Sequence, residues 1–261
     1  MKEEYRISEA YAHLEKEILS IPERFDKEGE LVYSGRNILK VMNIGGIRMC
    51  IKSFKLPHII NKVAYAYVRP SKAERSYDYA MRMAEMGVGT PQPVGYILFK
   101  GAVGLTHSYY ISLQLDEAIT FREIVKLPAE EQDDVYRAFA RFTYHFHQKG
   151  IYFIDHSPGN TMLRKEADGA YHFYLVDLNR MKFETVSPLK GLKNLSMLEV
   201  PEDKLRVIAK EYAILSHSNI ENMEQQLIRY STAHNKYVER KSCIRDCRRY
   251  IKRLLSPQGG Q

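Results

Sequence analysis

Up to about residue 115 the apolar residues of this chain recur mostly with the period of a strand, and from Asp116 onward with the period of a helix. Leu31 to Tyr33, Ile38 to Met42 and Ile47 to Phe54 read as strands, separated by Ser34-Gly35-Arg36-Asn37 and by the Asn43 to Gly46 turn. Val94 to Phe99 and Ser108 to Leu115 read as a further strand pair. Two helices interrupt them, one capped by Ser8 and running to about Leu19, the other from Ser71 to Met86 with Gly87 as its stop. After a helical stretch from Thr120 to Leu127, a long helix opens at Pro128 and ends before Gly150. Its Val135, Ala138, Phe139, Phe142 and Phe146 are expected to face a core. Only Ile151 to Ile154 and Tyr171 to Val176 then read as strands. This order predicts an α+β protein of two lobes. Residues 1–115 would form a small antiparallel sheet with one main helix, and residues 116–261 a mainly helical lobe.

A chain of 261 residues, 44% hydrophobic and 27% charged, can bury a real core, which excludes a disordered or low-complexity protein. Only the tail, Ser256 to Gln261, reads as disordered. The opening residues, Met1 to Tyr11, hold no apolar stretch of signal-peptide length, and no run approaches the ~18 apolar residues of a spanning helix. A cytoplasmic protein is expected. The three cysteines, Cys50, Cys243 and Cys247, suit a reducing compartment, and the last two are read as packing residues rather than zinc ligands.

The net charge of +7 is unevenly placed. Between Arg36 and Arg75 stand nine Lys or Arg and one acid, Glu74, which points to a substrate bearing phosphates. Within that stretch, Leu56 to Arg69 reads as a basic amphipathic segment. It suits an anionic bilayer or a phosphorylated glycolipid as well as it suits packing on the first lobe. A second basic run, Lys236 to Arg253, carries eight basic residues and two acids, with Tyr237, Ile244, Cys247, Ile251 and Leu254 on one helical face. It is expected to pack by that face. Tyr and Phe are scattered rather than interleaved with the basic residues, so nucleic acid is not expected as a partner.

The chemistry concentrates where two apolar strands each run into an aspartate: Ile151 to Asp155, followed by Asn160, and Tyr171 to Asp177. Asp155 and Asn160 have the D-x-x-x-x-N spacing of a kinase catalytic loop. Mg²⁺ takes oxygen ligands, which Asn160 and Asp177 supply, and a separate carboxylate, Asp155, is needed to orient an accepting hydroxyl and receive its proton. Lys52 stands in the third strand and Glu74 early in the next helix. That is the order of the lysine that holds the α- and β-phosphates and the acid that pairs with it.

These residues, with Ser157-Pro158-Gly159-Asn160, Val176-Asp177-Leu178-Asn179, Ser71-Lys72-Ala73-Glu74 and Gly89-Thr90-Pro91, resemble the lipopolysaccharide kinase family, the Kdo and heptose kinases of the inner core. The resemblance implies a bilobal protein-kinase-like fold, ATP with Mg²⁺, and transfer of the γ-phosphoryl group to a sugar hydroxyl of a lipid-linked oligosaccharide. It also implies nucleotide contacts from Gly35, Arg36, Asn37, Lys52 and Leu115. No G-x-G-x-x-G precedes Lys52, so one glycine and Arg36 would have to cover the phosphates. Ile154 replaces the Arg of H-R-D, and no A-P-E follows Asp177, which argues against a peptide substrate. A small-molecule or protein kinase of the same fold, and a basic binding protein on a kinase scaffold, are the alternatives. His145 and His147 are read as surface or cleft-edge residues. His156 is read equally as a phosphate contact and as a loop-structuring residue.

Overall fold

The computed structural model describes residues 2–55, 70–102, 104–167 and 169–255, with side chains described through Arg245. The basic segment Leu56 to Arg69, the side chain of Cys247 and the tail from Ser256 lie outside the described residues. The chain divides into two compact units, Met1–Phe121 with Asn160–Lys182, and Arg122–Gly159 with Phe183–Gln261. The sequence suggests a single boundary near residue 115. By its contacts, the stretch 160–182 belongs with the first unit.

The first unit holds a six-stranded antiparallel sheet built from β1 (Lys2–Ile7), β2 (Glu30–Ser34), β3 (Asn37–Ile44), β4 (Ile47–Phe54), β5 (Pro93–Gly101) and β6 (Gly104–Leu113), in the order β1-β5-β6-β4-β3-β2. Strand alternation sorts its two faces. Met49 and Ile51 of β4 are fully buried in one cluster with Val94, Ile97 and Ile111, covered by Ile18 and Ile21 from two short helices, α1 (Glu15–Leu19) and α2 (Ile21–Arg24), and by Phe25 just after the second. The intervening residues of β4, Cys50, Lys52 and Phe54, therefore belong to the other face. There Phe54 packs with Ala73 and Tyr77 of α3 (Lys72–Glu85). Burial pushes the Cys50 thiol up to about 11, so it remains protonated and packs as an apolar group.

The helical segment expected from Ser8 to about Leu19 keeps those bounds, as a 3₁₀ helix, Glu9–Leu14, followed by the five residues of α1. Ahead of it, the charged residues 2–7 form the edge strand β1, paired with β5 from Lys2 opposite Lys100 to Ile7 opposite Gly95. Charge is common on an exposed edge, where it discourages further strand pairing, and it hides the strand from hydrophobic periodicity. A second sheet in this unit joins β7 (Ile119–Thr120), β9 (Thr161–Lys165) and β10 (Tyr171–Leu175) in the order β10-β9-β7.

The second unit is built on α4 (Ala129–Gln148), α5 (Pro188–Leu195), α6 (Glu202–Leu215) and α7 (Ile220–Leu255), with the short β8 (Ile151–Phe153) after α4. Val135, Phe139 and Phe146 of α4 are buried as expected, but Ala138 and Phe142 are only half-buried, and Tyr136, Ala140, Thr143 and His147 fill the interior face. His147 is thus a core residue and not a surface one. Its Nδ1 lies 2.9 Å from Tyr212 Oη and its Nε2 3.0 Å from Asn194 Oδ1, while Asn194 Nδ2 donates to the Phe153 carbonyl at 2.7 Å. With Asn194 accepting from Nε2–H, the neutral tautomer accepts from Tyr212 at Nδ1. His156 is fully buried against the rings of Phe139, Phe146 and Phe153, which makes it a packing residue of its loop.

Burial holds the imidazole of His147 down to about 4 and that of His156 down to about 3, from an ordinary 6.5. Because both values are depressed, the unfolded chain binds protons that the folded one excludes, so their contribution to stability is complete above pH 6.5 and is lost as the pH falls below it. The two together should cost about 3 kcal/mol of stability by pH 5.5. Thermal melts between pH 7 and 5.5 check this, and an unchanged melting temperature would contradict it.

Candidate active site

Asp177 follows β10 and sits at φ +59°, a left-handed conformation that few residues other than glycine, asparagine and aspartate accept. Its Oδ1 accepts from Lys52 Nζ at 2.5 Å and from Asn179 Nδ2 at 2.5 Å. The lysine side chain is 12% exposed and the aspartate 33%, so the pair is largely shielded from water. Lys52 stands opposite Leu39 and Tyr110 in the middle of the sheet, which fixes its base.

The second expected metal ligand reaches the same place through sheet register. Thr161 pairs with Leu175, and the carbonyl of Asn160 accepts from the Val176 N–H at 2.9 Å, one residue before Asp177. The β9–β10 hairpin thereby brings Asn160 beside Asp177. The loop after α3 anchors this hairpin: Gly89 O accepts from Leu175 N–H at 2.9 Å, and Thr90 Oγ1 donates to Leu175 O at 3.0 Å. A β-carbon at Gly89 would run into the Phe173 carbonyl, so only glycine allows the approach.

The expected Lys52–Glu74 ion pair is not formed. Glu74 instead completes a capping box on α3: its Oε2 accepts from the Ser71 N–H at 3.1 Å, and its own N–H donates to Ser71 Oγ at 3.0 Å. Glu74→Ala should therefore lower stability by about 1 kcal/mol. In an activity cycle its effect should add to that of Lys52→Ala. A double variant no worse than Lys52→Ala alone would show that Glu74 acts through the lysine.

Lys72, in the first turn of α3, is the residue sequence reasoning missed. It is half-buried, and burial pushes its ammonium down. Arg36, Arg180 and Arg75 act in the same sense, while Asp177 pulls upward. Lys72 thus stands within electrostatic reach of three arginines and of the carboxylate that Lys52 binds, a concentration of positive charge that favours a polyanion. The only sequence signal was the position of Lys72 directly after the helix cap.

Arg36 lies exposed in the β2–β3 turn, where Gly35 N–H donates to Asn37 O at 3.1 Å. Asn37 Oδ1 accepts from Lys55 N–H at 3.3 Å, closing the end of the β3–β4 pair. Leu115 follows β6, half-buried, with its carbonyl accepting from Gln114 Nε2 at 3.2 Å. Asp155 lies in the second unit, two residues beyond the Phe153 carbonyl that Asn194 holds, and its own carbonyl accepts from Ser157 N–H at 2.7 Å.

Among solved structures, the chain is similar to WaaP in complex with acyl carrier protein, with a TM-score of 0.60 and 13% identity over 90% of this chain and 98% of that one. It also matches the Rio2 kinase–ADP/Mg²⁺–phosphoaspartate complex from Chaetomium thermophilum, at a TM-score of 0.49 and 13% identity over 87% and 77% of the two chains. At that identity the likeness to WaaP is one of fold, and the fold is α+β and protein-kinase-like. No curated protein sequence matches the chain. The model of the lipopolysaccharide kinase (Kdo/WaaP) family matches residues 55–217, well over half of it, and the chain belongs to that family of phosphotransferases acting on sugar hydroxyls.

Proposed function

We propose that this kinase of the lipopolysaccharide core transfers the γ-phosphoryl group of ATP, with Mg²⁺, to a hydroxyl of an inner-core Kdo or heptose carried on a lipid anchor. The observation that carries the reading is the Lys52–Asp177 pair at 2.5 Å, with Asp177 in a left-handed conformation beside Asn160. A half-buried carboxylate and a neighbouring amide make an all-oxygen donor set, the chemistry that Mg²⁺ selects. Asp177 and Asn160 would hold the ion, which when bound neutralises charge on the phosphates. Lys52 would then exchange its carboxylate partner for phosphate oxygens, and Arg36, Lys72 and Arg180 would add positive potential around them. Gly35, Asn37 and Leu115 are assigned to the nucleotide, and Asp155 to orienting the accepting hydroxyl and receiving its proton; these assignments rest on sequence position.

A protein acting on a lipid-anchored sugar works at the membrane surface. Among the described residues no helix is long and apolar enough to cross a membrane. Calorimetric titration with ATP tests the nucleotide half of the reading. Binding should require Mg²⁺ and weaken at least about tenfold in Lys52→Ala, as expected for loss of a charge-assisted contact. Mg²⁺-independent binding that Lys52→Ala leaves intact would contradict it.

A further inference from the structure

The helix α7 runs for 36 residues, from Ile220 to Leu255, yet among its described side chains only those of the first turns are packed. Met223, Leu227 and Ser231 are buried, and beyond Ser231 no described side chain is. Of the apolar face expected to pack, Tyr237 and Ile244 are thus unpacked, while the side chains of Cys247, Ile251 and Leu254 lie outside the described residues. Tyr237 is 60% exposed, Ile244 55% and Val238 42%.

The charges on this stretch are sorted. Tyr237 and Ile244 are seven apart and fall within about 20° of each other around the helix, forming one stripe. At the angular step of an α-helix, Lys236 and Arg240 border that stripe on one side, and Lys241 and Arg245 on the other. Lys241 Nζ lies 5.8 Å from the centre of the Tyr237 ring, so its stem follows the stripe and its charge sits at the edge. Glu239, two residues from Tyr237, falls on the opposite face. A merely solvated helix has no need of this order, in which basic residues flank the apolar stripe and the acid is turned away. Beyond Arg245 the sequence stays rich in basic residues, at 248, 249, 252 and 253, with apolar residues at 247, 251 and 254 and the next acid, Asp246, seven after Glu239. Between 232 and 255 stand eight Lys or Arg and two acids, nearly the whole net charge of +7.

We propose that α7 beyond Ser231 is an interfacial helix that seats this protein on an anionic bilayer, its stripe of Tyr237 and Ile244 among the headgroups and its bordering basic residues on lipid phosphates. Basic residues at the edges of an apolar stripe are the arrangement by which a helix lies in a membrane surface. A second copy is the poorer occupant, because packing stripe on stripe would line Lys236, Arg240, Lys241 and Arg245 of both copies along one seam. The choice of a membrane rests in part on the lipid-anchored acceptor proposed above.

Co-sedimentation of the full chain with vesicles tests this, using equal parts phosphatidylglycerol and phosphatidylcholine against phosphatidylcholine alone, at low and high salt. Wild type should bind the anionic vesicles at low salt, release at high salt and ignore the neutral ones. Reversing Lys236, Arg240, Lys241 and Arg245 to Glu should weaken binding by about a hundredfold or more, and Tyr237→Ser with Ile244→Ser by about tenfold. Melting temperatures should not move, since none of these side chains is buried. Wild type that fails to bind anionic vesicles, or charge-reversed protein that binds as wild type does, overturns the proposal. So does a wild-type dimer that Tyr237→Ser with Ile244→Ser converts to monomer. Transfer to a deacylated acceptor is scored separately. If that transfer persists while vesicle binding is absent, only the helix assignment falls. If it is absent while vesicle binding persists, the kinase reading falls and the helix assignment stands.

Discussion

Asp155→Asn lowers kcat for phosphoryl transfer by about 10²- to 10⁴-fold and leaves Mg²⁺–ATP binding nearly unchanged, if this carboxylate receives the proton of the accepting hydroxyl. The substitution keeps the size of the side chain and removes its basicity. It should also spare the fold, because the strand before it is held from elsewhere: the Phe153 carbonyl is bonded by Asn194, which His147 and Tyr212 hold in turn. Single-turnover transfer, measured beside nucleotide affinity and melting temperature, checks all three. A variant that retains most of the wild-type turnover would move the base to another residue.

Asp177→Asn should cost about 10²- to 10³-fold in kcat and raise the Mg²⁺ concentration needed for half-maximal activity, because one charged oxygen ligand becomes neutral. Asparagine suits the test. It accepts the left-handed conformation at φ +59° as readily as aspartate does, so loss of activity cannot be put down to backbone strain. Lys52 loses the carboxylate that now holds its ammonium at 2.5 Å, and the fall in nucleotide affinity should therefore exceed that of Asn160→Ala. Activity measured across a Mg²⁺ titration decides the matter. An unchanged Mg²⁺ requirement in both variants would defeat the assignment of the metal ligands.

The parts of the site that were legible in the sequence are those carried by strands. An apolar run ending in aspartate can be read from the sequence alone, and so can a lysine that follows an apolar residue within a strand. This is why Lys52, Asn160 and Asp177 were named and why the structure brings them together in one unit. Glu74 shows the limit. Ser71-x-x-Glu74 is both the pattern of a capping box and the place of a kinase acid, and the carboxylate went to the nearby backbone N–H of Ser71, while the ammonium of Lys52 went to Asp177. Lys72 was lost in a basic stretch where nothing in the one-dimensional pattern singles out the half-buried lysine within the field of Asp177. His147 was misread for a similar reason. Its partners Asn194 and Tyr212 are 47 and 65 residues away, and only the packing of α4, α5 and α6 makes a buried imidazole satisfied there. Strand β1 was missed because an edge strand that carries charge has no hydrophobic period to read.

The most direct test of the account is the mass of the product. After incubation with ATP, Mg²⁺ and a Kdo-bearing lipid A precursor, the acceptor should gain the mass of one phosphate. Fragmentation should place that phosphate on an inner-core sugar, and Asp155→Asn should leave the acceptor unchanged. An acceptor of unaltered mass beside an enzyme that binds Mg²⁺–ATP, or a phosphate found on the lipid A portion instead of a core sugar, would contradict it.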